Sequence, residues 1–206
     1  MSQTETSPFS EFSDAELELH LVRVAEKGAD YIGHFLSKAA VLALQKLCES
    51  LDFKEVVEQH EKVSERYFVP KNISPLVEIV VSPLGKYLKN RLESCAGTYP
   101  ILHAWDPSDF SIQLYDRSSY ITSHRDHNVY RGLIVICAFQ GESVFEASNE
   151  RHSAPFLKEK MSVGDAVFLR GAGMVSNIEG HPGIFHSISG ALTDVPRISL
   201  AFRDKT

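Results

Sequence analysis

The sequence predicts an α+β protein in which helices come first and a run of short strands follows, forming two packed sheets or a squashed barrel with helices covering one sheet. Three observations predict this. Helical spacing is concentrated in the first half, where Val41, Leu44, Cys48 and Leu51 recur as one apolar face. From about residue 110 the chain breaks into short apolar-rich segments separated by Gly, Asn, Asp and Ser. In several of these segments polar and apolar residues alternate, so each strand has two unlike faces. Many strands after a helical start call for a sheet with one face covered by helices.

The elements follow in order. "LELHLV" (17–22) alternates and reads as a strand, as does "YIGHFL" (31–36). Ser37 is placed to cap a helix over "KAAVLALQKLCESL". A second helix is expected over 83–96, with Pro83 suited to its first turn. The strands expected after that are "FSIQLYD", "LIVICAF", "SVFEA", "DAVFLR", "IFHSIS" and "RISLAFR". No repeat, low-complexity tract or linker divides the chain. Residues 13–206 are therefore expected to form a single domain after a polar, disordered tail over 1–12.

Composition narrows the function. The chain has 206 residues, 43% of them hydrophobic and 23% charged, ordinary for a globular domain. No apolar run approaches the roughly 20 residues of a membrane span, and the polar N-terminus lacks the apolar region of a secretory signal. No membrane partner is expected. Cys48, Cys95 and Cys137 are scattered and include no CxxC pair, which argues against a disulfide framework and for a reducing, cytoplasmic setting. The net charge of −6 lies in residues 1–60, with 11 acidic and 5 basic residues; the remainder has 16 of each. The basic spots at Lys86, Lys89 and Arg91, and at Arg151, Lys158 and Lys160, make no stripe, and the profile tilts against nucleic acid.

The stretch "SSYITSHRDHNVYRG" (118–132) carries the chemistry. His124 and Asp126, two residues apart, face the same way on an extended chain and can grip one ion. A third ligand must come from downstream, where His152, His181 and His186 are available. Only His186, in "IFHSIS", has a strand-like context. Two histidines and a carboxylate make the facial triad of non-haem Fe(II) oxygenases, which leaves positions open for substrates. His127 points away from that face. In "RISLAFR", Arg197, Ser199, Ala201 and Arg203 share a face opposite Ile198, Leu200 and Phe202. If the apolar set packs under the helices, two arginines enter the barrel interior, where each needs an anionic partner. Ser111, Gln113 and Tyr115 share a face in the same way, making Gln113 and Tyr115 inward hydrogen-bonding groups. Trp105, Tyr120 and Tyr130 are candidates for the substrate mouth, although ordinary packing explains each of them as well.

The set "QLY…HRD…GDAVFLRG…H…RISLAFR" resembles the AlkB-like branch of the Fe(II)/2-oxoglutarate-dependent dioxygenases, over about residues 82–203 and more loosely over 30–60. The resemblance implies a double-stranded β-helix, or jelly roll, with N-terminal helices packed on one sheet. It implies Fe(II) held by His124, Asp126 and His186, with 2-oxoglutarate and O2 as cosubstrates. It puts the cosubstrate's distal carboxylate on Arg197, with Gln113, Tyr115, Ser199 and Arg203 around it. Family members often have Asn where this chain has Ser199, and Asn-x-Tyr where it has Gln113 and Tyr115. Repair members usually place an acidic residue two positions after the metal Asp, where Asn128 stands here. The segment 58–74, matching their base-clamping lid, offers Tyr67 and Phe68 without a recognisable lid motif. The resemblance implies oxidative hydroxylation, or N-demethylation through hydroxylation; the net charge, Asn128 and segment 58–74 favour a small-molecule substrate, and a monomer is expected. The alternatives are an AlkB-like nucleic-acid demethylase, a cupin-type metal jelly roll, and an inactive jelly-roll binding module.

Overall fold

The computed structural model describes residues 13–205 apart from 61, 73–74, 96, 98 and 175–182, with 75–80 described by backbone alone. The expected tail over 1–12, and His181, lie outside the described residues. Among the described residues three α-helices, α1 (Asp14–Lys27), α2 (Lys38–Cys48) and α3 (Pro75–Ser94), and a short 3-10 helix (Pro100–Ala104) accompany eleven strands. The strands are β1 (Ala29–Ile32), β2 (Phe53–Gln59), β3 (Ser64–Pro70), β4 (Asp109–Tyr115), β5 (Tyr120–His124), β6 (Tyr130–Gln140), β7 (Ser143–Ser148), β8 (Leu157–Met161), β9 (Ala166–Arg170), β10 (Phe185–Ile188) and β11 (Arg197–Lys205). They pair in the order β1-β9-β6-β11-β4-β3-β5-β10-β7-β8, with β2 added on β3. The outer strands β1 and β8 touch, so the antiparallel sheet rolls into a nearly closed barrel, the expected jelly roll.

Two apolar layers follow from strand alternation. Leu133, Val135, Cys137 and Phe139 of β6 pack under the helices, together with Ile198, Leu200 and Phe202 of β11. Ile134, Ile136 and Ala138 turn the other way into the barrel, as does Ala201. Burial on both faces explains why β6 reads as an unbroken apolar run.

Residues 17–22 are helical, contrary to the strand reading. Their alternation is incidental: Leu17, Leu21 and Val24 are the buried set, at helical spacing, while Leu19 is half exposed. A capping box fixes the start, with Ser13 Oγ accepting from the Glu16 N–H at 3.2 Å and Glu16 Oε2 accepting from the Ser13 N–H at 2.8 Å. Gly28, at φ 99°, ends the helix in the left-handed conformation. The strand expected over 31–36 stops at Ile32, because Gly33 and His34 turn the chain. Ser37 caps α2 as expected, accepting from the Ala40 N–H. Helix α3 begins eight residues before Pro83; Pro75 holds the first helical position and Pro83 lies within the helix. Strands β2, β3 and β8 were not expected from the sequence, and β5 ends at His124, short of Asp126.

Candidate active site

Strands β5 and β10 build one side of the site. His124 and His186 are direct cross-strand partners, with ring centroids 4.2 Å apart. A register shift between His186 and Ile188 lets both Ile121 and His124 face the interior. Asp126 follows in the loop after β5, so it is the chain's exit from the strand, rather than strand alternation, that brings it round. Ligand atoms of His124, Asp126 and His186 all lie within 4.8 Å of one another, and His186 Nε2 is 3.8 Å from Asp126 Oδ2.

The histidine rings are oriented from behind. His124 Nδ1 lies 3.0 Å from the Thr122 carbonyl and His186 Nδ1 lies 3.3 Å from that of Ile184. A carbonyl can only accept, so each Nδ1 carries the proton and each Nε2 keeps its lone pair for the site. His186 is buried, and loss of solvation pushes its pKa down to about 4, with the nearby His124 adding to the effect. Its ring is therefore neutral at physiological pH, as a metal ligand requires. Buried Asp126 Oδ2 has no hydrogen-bond partner among the described residues. Two imidazole nitrogens and one carboxylate oxygen with an unsatisfied lone pair fit a divalent iron in a 2-His-1-carboxylate triad.

The β4–β11 ladder supplies the other side. Its register pairs Arg197 with Tyr115, Ser199 with Gln113, Ala201 with Ser111 and Arg203 with Asp109. The residues expected around the cosubstrate thus share one inward face. Arg197 is fully buried. It donates to Ser199 Oγ at 3.1 Å and to Met161 Sδ at 3.8 Å, and lies 5.2 Å from the Tyr115 ring centroid. Its Nε has no partner, and no carboxylate pairs with it among the described residues. Burial lowers its pKa, partly opposed by Tyr115, and raises that of the Tyr115 phenol. Tyr115 OH donates to Gln113 Oε1 at 3.0 Å.

Arg203 lies at the metal end of the same face. Its Nη1 donates to Ser111 Oγ at 2.8 Å, and its guanidinium approaches Asp109 at 3.9 Å and Asp126 at 3.8 Å. It also stacks over Tyr130. Between the two sides opens a cavity of about 490 Å3, lined by the triad, Gln113, Arg203, Ile136 and residues of β3.

Other expected residues lie elsewhere. His152 is exposed, and His127 is exposed with its Nδ1 accepting from the Val129 N–H. Trp105 is buried under the helices, where Nε1 donates to the Leu133 carbonyl, so it does not line a mouth. Three neighbours of the site were not assigned to it from the sequence. Tyr67 of β3 stacks on Tyr115 with centroids 6.0 Å apart, Phe145 stacks on His186 at 5.8 Å, and Glu65 faces the cavity. Only Tyr67, an aromatic in the segment compared with the family lid, had given any signal.

No family model and no curated protein matches the chain. Solved structures do. An α-ketoglutarate-dependent non-haem epimerase, SnoN from nogalamycin biosynthesis, superposes with a TM-score of 0.59 at 13% identity, covering 93% of this chain and 84% of its own. A prolyl-4-hydroxylase from Pseudomonas putida gives 0.54 at 14%, covering 92% and 100%. OsALKBH1 gives 0.51 at 14%, covering 86% and 98%. The fold is thus the double-stranded β-helix of 2-oxoglutarate–Fe(II) oxygenases. The AlkB-type structure fits no better than the others.

Proposed function

We propose that this chain is an Fe(II)- and 2-oxoglutarate-dependent dioxygenase that hydroxylates a C–H bond of a small molecule. N-demethylation is the outcome where the hydroxylated carbon is an N-methyl group. One observation carries the reading. Two imidazole nitrogens and a carboxylate converge in a cavity that Arg203 of β11 lines, and behind it the same inward face of β11 holds a fully buried arginine, Arg197, with no carboxylate partner among the described residues. An unpaired buried guanidinium is costly, and a bound dicarboxylate relieves that cost.

When bound, Fe(II) with 2-oxoglutarate and O2 supplies the oxidising chemistry, giving succinate, CO2 and a hydroxylated product. The chain's own residues bind and orient. His124, Asp126 and His186 hold the ion, and the Thr122 and Ile184 carbonyls fix the imidazole tautomers. Arg197 takes the distal carboxylate of 2-oxoglutarate in its fork, beside the Ser199 hydroxyl. Tyr115 and Gln113, joined by a hydrogen bond, offer polar atoms to the same ligand. Arg203 restrains Asp126. Tyr67, stacked on Tyr115, excludes water from this end.

A small substrate is favoured over nucleic acid because several of the basic residues already have acidic partners. Lys158 pairs with Glu146 at 2.7 Å, Lys160 with Glu142 at 3.0 Å and Lys89 with Asp106 at 3.5 Å. A phosphate-tracking surface needs several free cations in a row. The solved relatives named for an epimerase and a prolyl hydroxylase support an oxygenase reading without fixing its substrate.

The test is iron-dependent succinate formation from 2-oxoglutarate, measured with a metabolite extract and with methylated oligonucleotides in parallel. Stimulation by the extract is expected. Salt-sensitive stimulation by methylated nucleic acid alone would replace the small-molecule reading with a demethylase. No succinate under any condition would leave a binding module.

A further inference from the structure

The cavity has a third wall, on the β2–β3 hairpin, and it presents a carboxylate. Strand β3 pairs with β5 so that Glu65 stands opposite Ile121. Ile121 belongs to the barrel interior, and cross-strand partners share a face, so Glu65 faces inward too. Tyr67, two residues on, stacks on Tyr115 inside the barrel, which gives the same answer independently. Glu65 lines the cavity with the triad, and burial raises its carboxyl pKa. Among the described residues its carboxylate has no hydrogen bond and no ion pair. The two arginines of the cavity already have neighbours. Arg203 lies against Asp109 and Asp126, and the Arg125 guanidinium stacks on Phe185, 3.9 Å from the ring centroid.

The partner hairpin strand sharpens the point. In the β2–β3 register Glu58 stands directly opposite Glu65. Like charges in that position repel. Glu58 lies 3.0 Å from the exposed His60 ring, and the favourable influence of His124 and His60 on Glu65 is outweighed by burial and by Glu58.

We propose that Glu65 is a specificity-determining residue of the substrate cavity, and that the substrate carries a protonated amine or quaternary ammonium group that lies against it. This rests on the dioxygenase reading above and names its substrate class. The cation neutralises a carboxylate that the fold holds over the triad, and relieves the Glu58–Glu65 repulsion. Tyr67, on the same inward face, offers an aromatic wall suited to such a group.

The test uses four soluble probes of matched size: choline, protonated N,N-dimethylethanolamine, the neutral isostere 3,3-dimethyl-1-butanol and the anion 3,3-dimethylbutyrate. Binding is measured by calorimetry on the intact protein with Mn(II) and 2-oxoglutarate, for wild type, Glu65→Gln and Glu65→Lys. The two cations are expected to bind about tenfold tighter than the neutral isostere in wild type. That preference should vanish in Glu65→Gln and pass to the anion in Glu65→Lys. Equal binding of cation and isostere by the wild type, or a preference that survives Glu65→Gln, overturns the proposal. So does a second bound Mn(II) that disappears in Glu65→Gln, because it makes Glu58, His60 and Glu65 a metal site. Tighter, salt-sensitive binding of an oligonucleotide containing 1-methyladenine than of the free nucleoside refutes a small-molecule amine. An anaerobic visible band with Fe(II) and 2-oxoglutarate, recorded on all three proteins, separates the two claims. Its absence from wild type counts against the dioxygenase reading, while the charge preference is still read on the chain itself.

Discussion

Replacing Arg197 by Met separates a ligand clamp from a structural arginine, because the two roles predict opposite signs. The guanidinium is fully buried, with one hydroxyl and one thioether as its hydrogen-bond partners and an unpaired Nε among the described residues. Methionine fills a similar volume without charge. Removing an uncompensated buried ion gains several kcal/mol, from which about 1 kcal/mol is lost with the Ser199 hydrogen bond. The ligand-free variant should therefore be more stable than wild type by about 1–3 kcal/mol. With 2-oxoglutarate the order changes. A charge-assisted pair to a desolvated carboxylate is worth roughly 2–4 kcal/mol, so affinity should fall on the order of 100-fold. At a concentration 100 times its Kd, 2-oxoglutarate stabilises wild type by about 2.7 kcal/mol, and the same concentration should stabilise the variant by only about 0.4 kcal/mol. Urea unfolding with Mn(II), with and without 2-oxoglutarate, reads both quantities. A variant that loses stability without ligand, or responds to 2-oxoglutarate as wild type does, refutes the clamp.

Three further outcomes are expected. His186→Ala should abolish the weak anaerobic visible band of the protein with Fe(II) and 2-oxoglutarate, whereas His127→Ala should retain it; a band surviving in His186→Ala removes that residue from the ligand set. Burial pushes the Cys48 thiol up to about 12 and raises Cys95 and Cys137 as well, so at pH 8 the folded protein should react with a disulfide reagent far more slowly than the protein in urea, and one rapidly reacting thiol contradicts this. Gly141 has φ 64°, and a Cβ there would come 2.5 Å from the Pro196 carbonyl oxygen, so Gly141→Ala should cost at least about 2 kcal/mol in urea unfolding; a cost near zero means the turn before β7 can shift freely.

The barrel interior was legible because two strands carry chemistry on one face and apolar residues on the other. "RISLAFR" and "FSIQLYD" divide in the structure as they do in the sequence, with Ile198, Leu200 and Phe202 under the helices and Arg197 opposite Tyr115 inside. The triad was legible through residue type and strand context, although Asp126 arrives by a loop and the register shift beside His124 has no sequence signature. Helix α1 was misread because six residues are too few to tell a two-residue period from a helical one when Leu17, Leu19 and Leu21 fall on alternate positions by chance. The signal that decides it lies outside those six, in Ser13, Glu16 and Gly28.

The β2–β3 hairpin was illegible for a physical reason, and that reason bears on its role. A strand announces itself when one face is buried in apolar contact. In β2 both faces are largely solvated, with Val57 64% exposed. In β3 the inward residues are Glu65 and Tyr67, which meet a cavity and an aromatic ring rather than a packed layer. Periodicity measures packing, so a strand whose inner face lines a ligand site loses the pattern that would reveal it. The segment that looked like a lid without a motif is a wall of the site. Its inward residues, Glu65 and Tyr67, line a cavity and are free of the demands of the core.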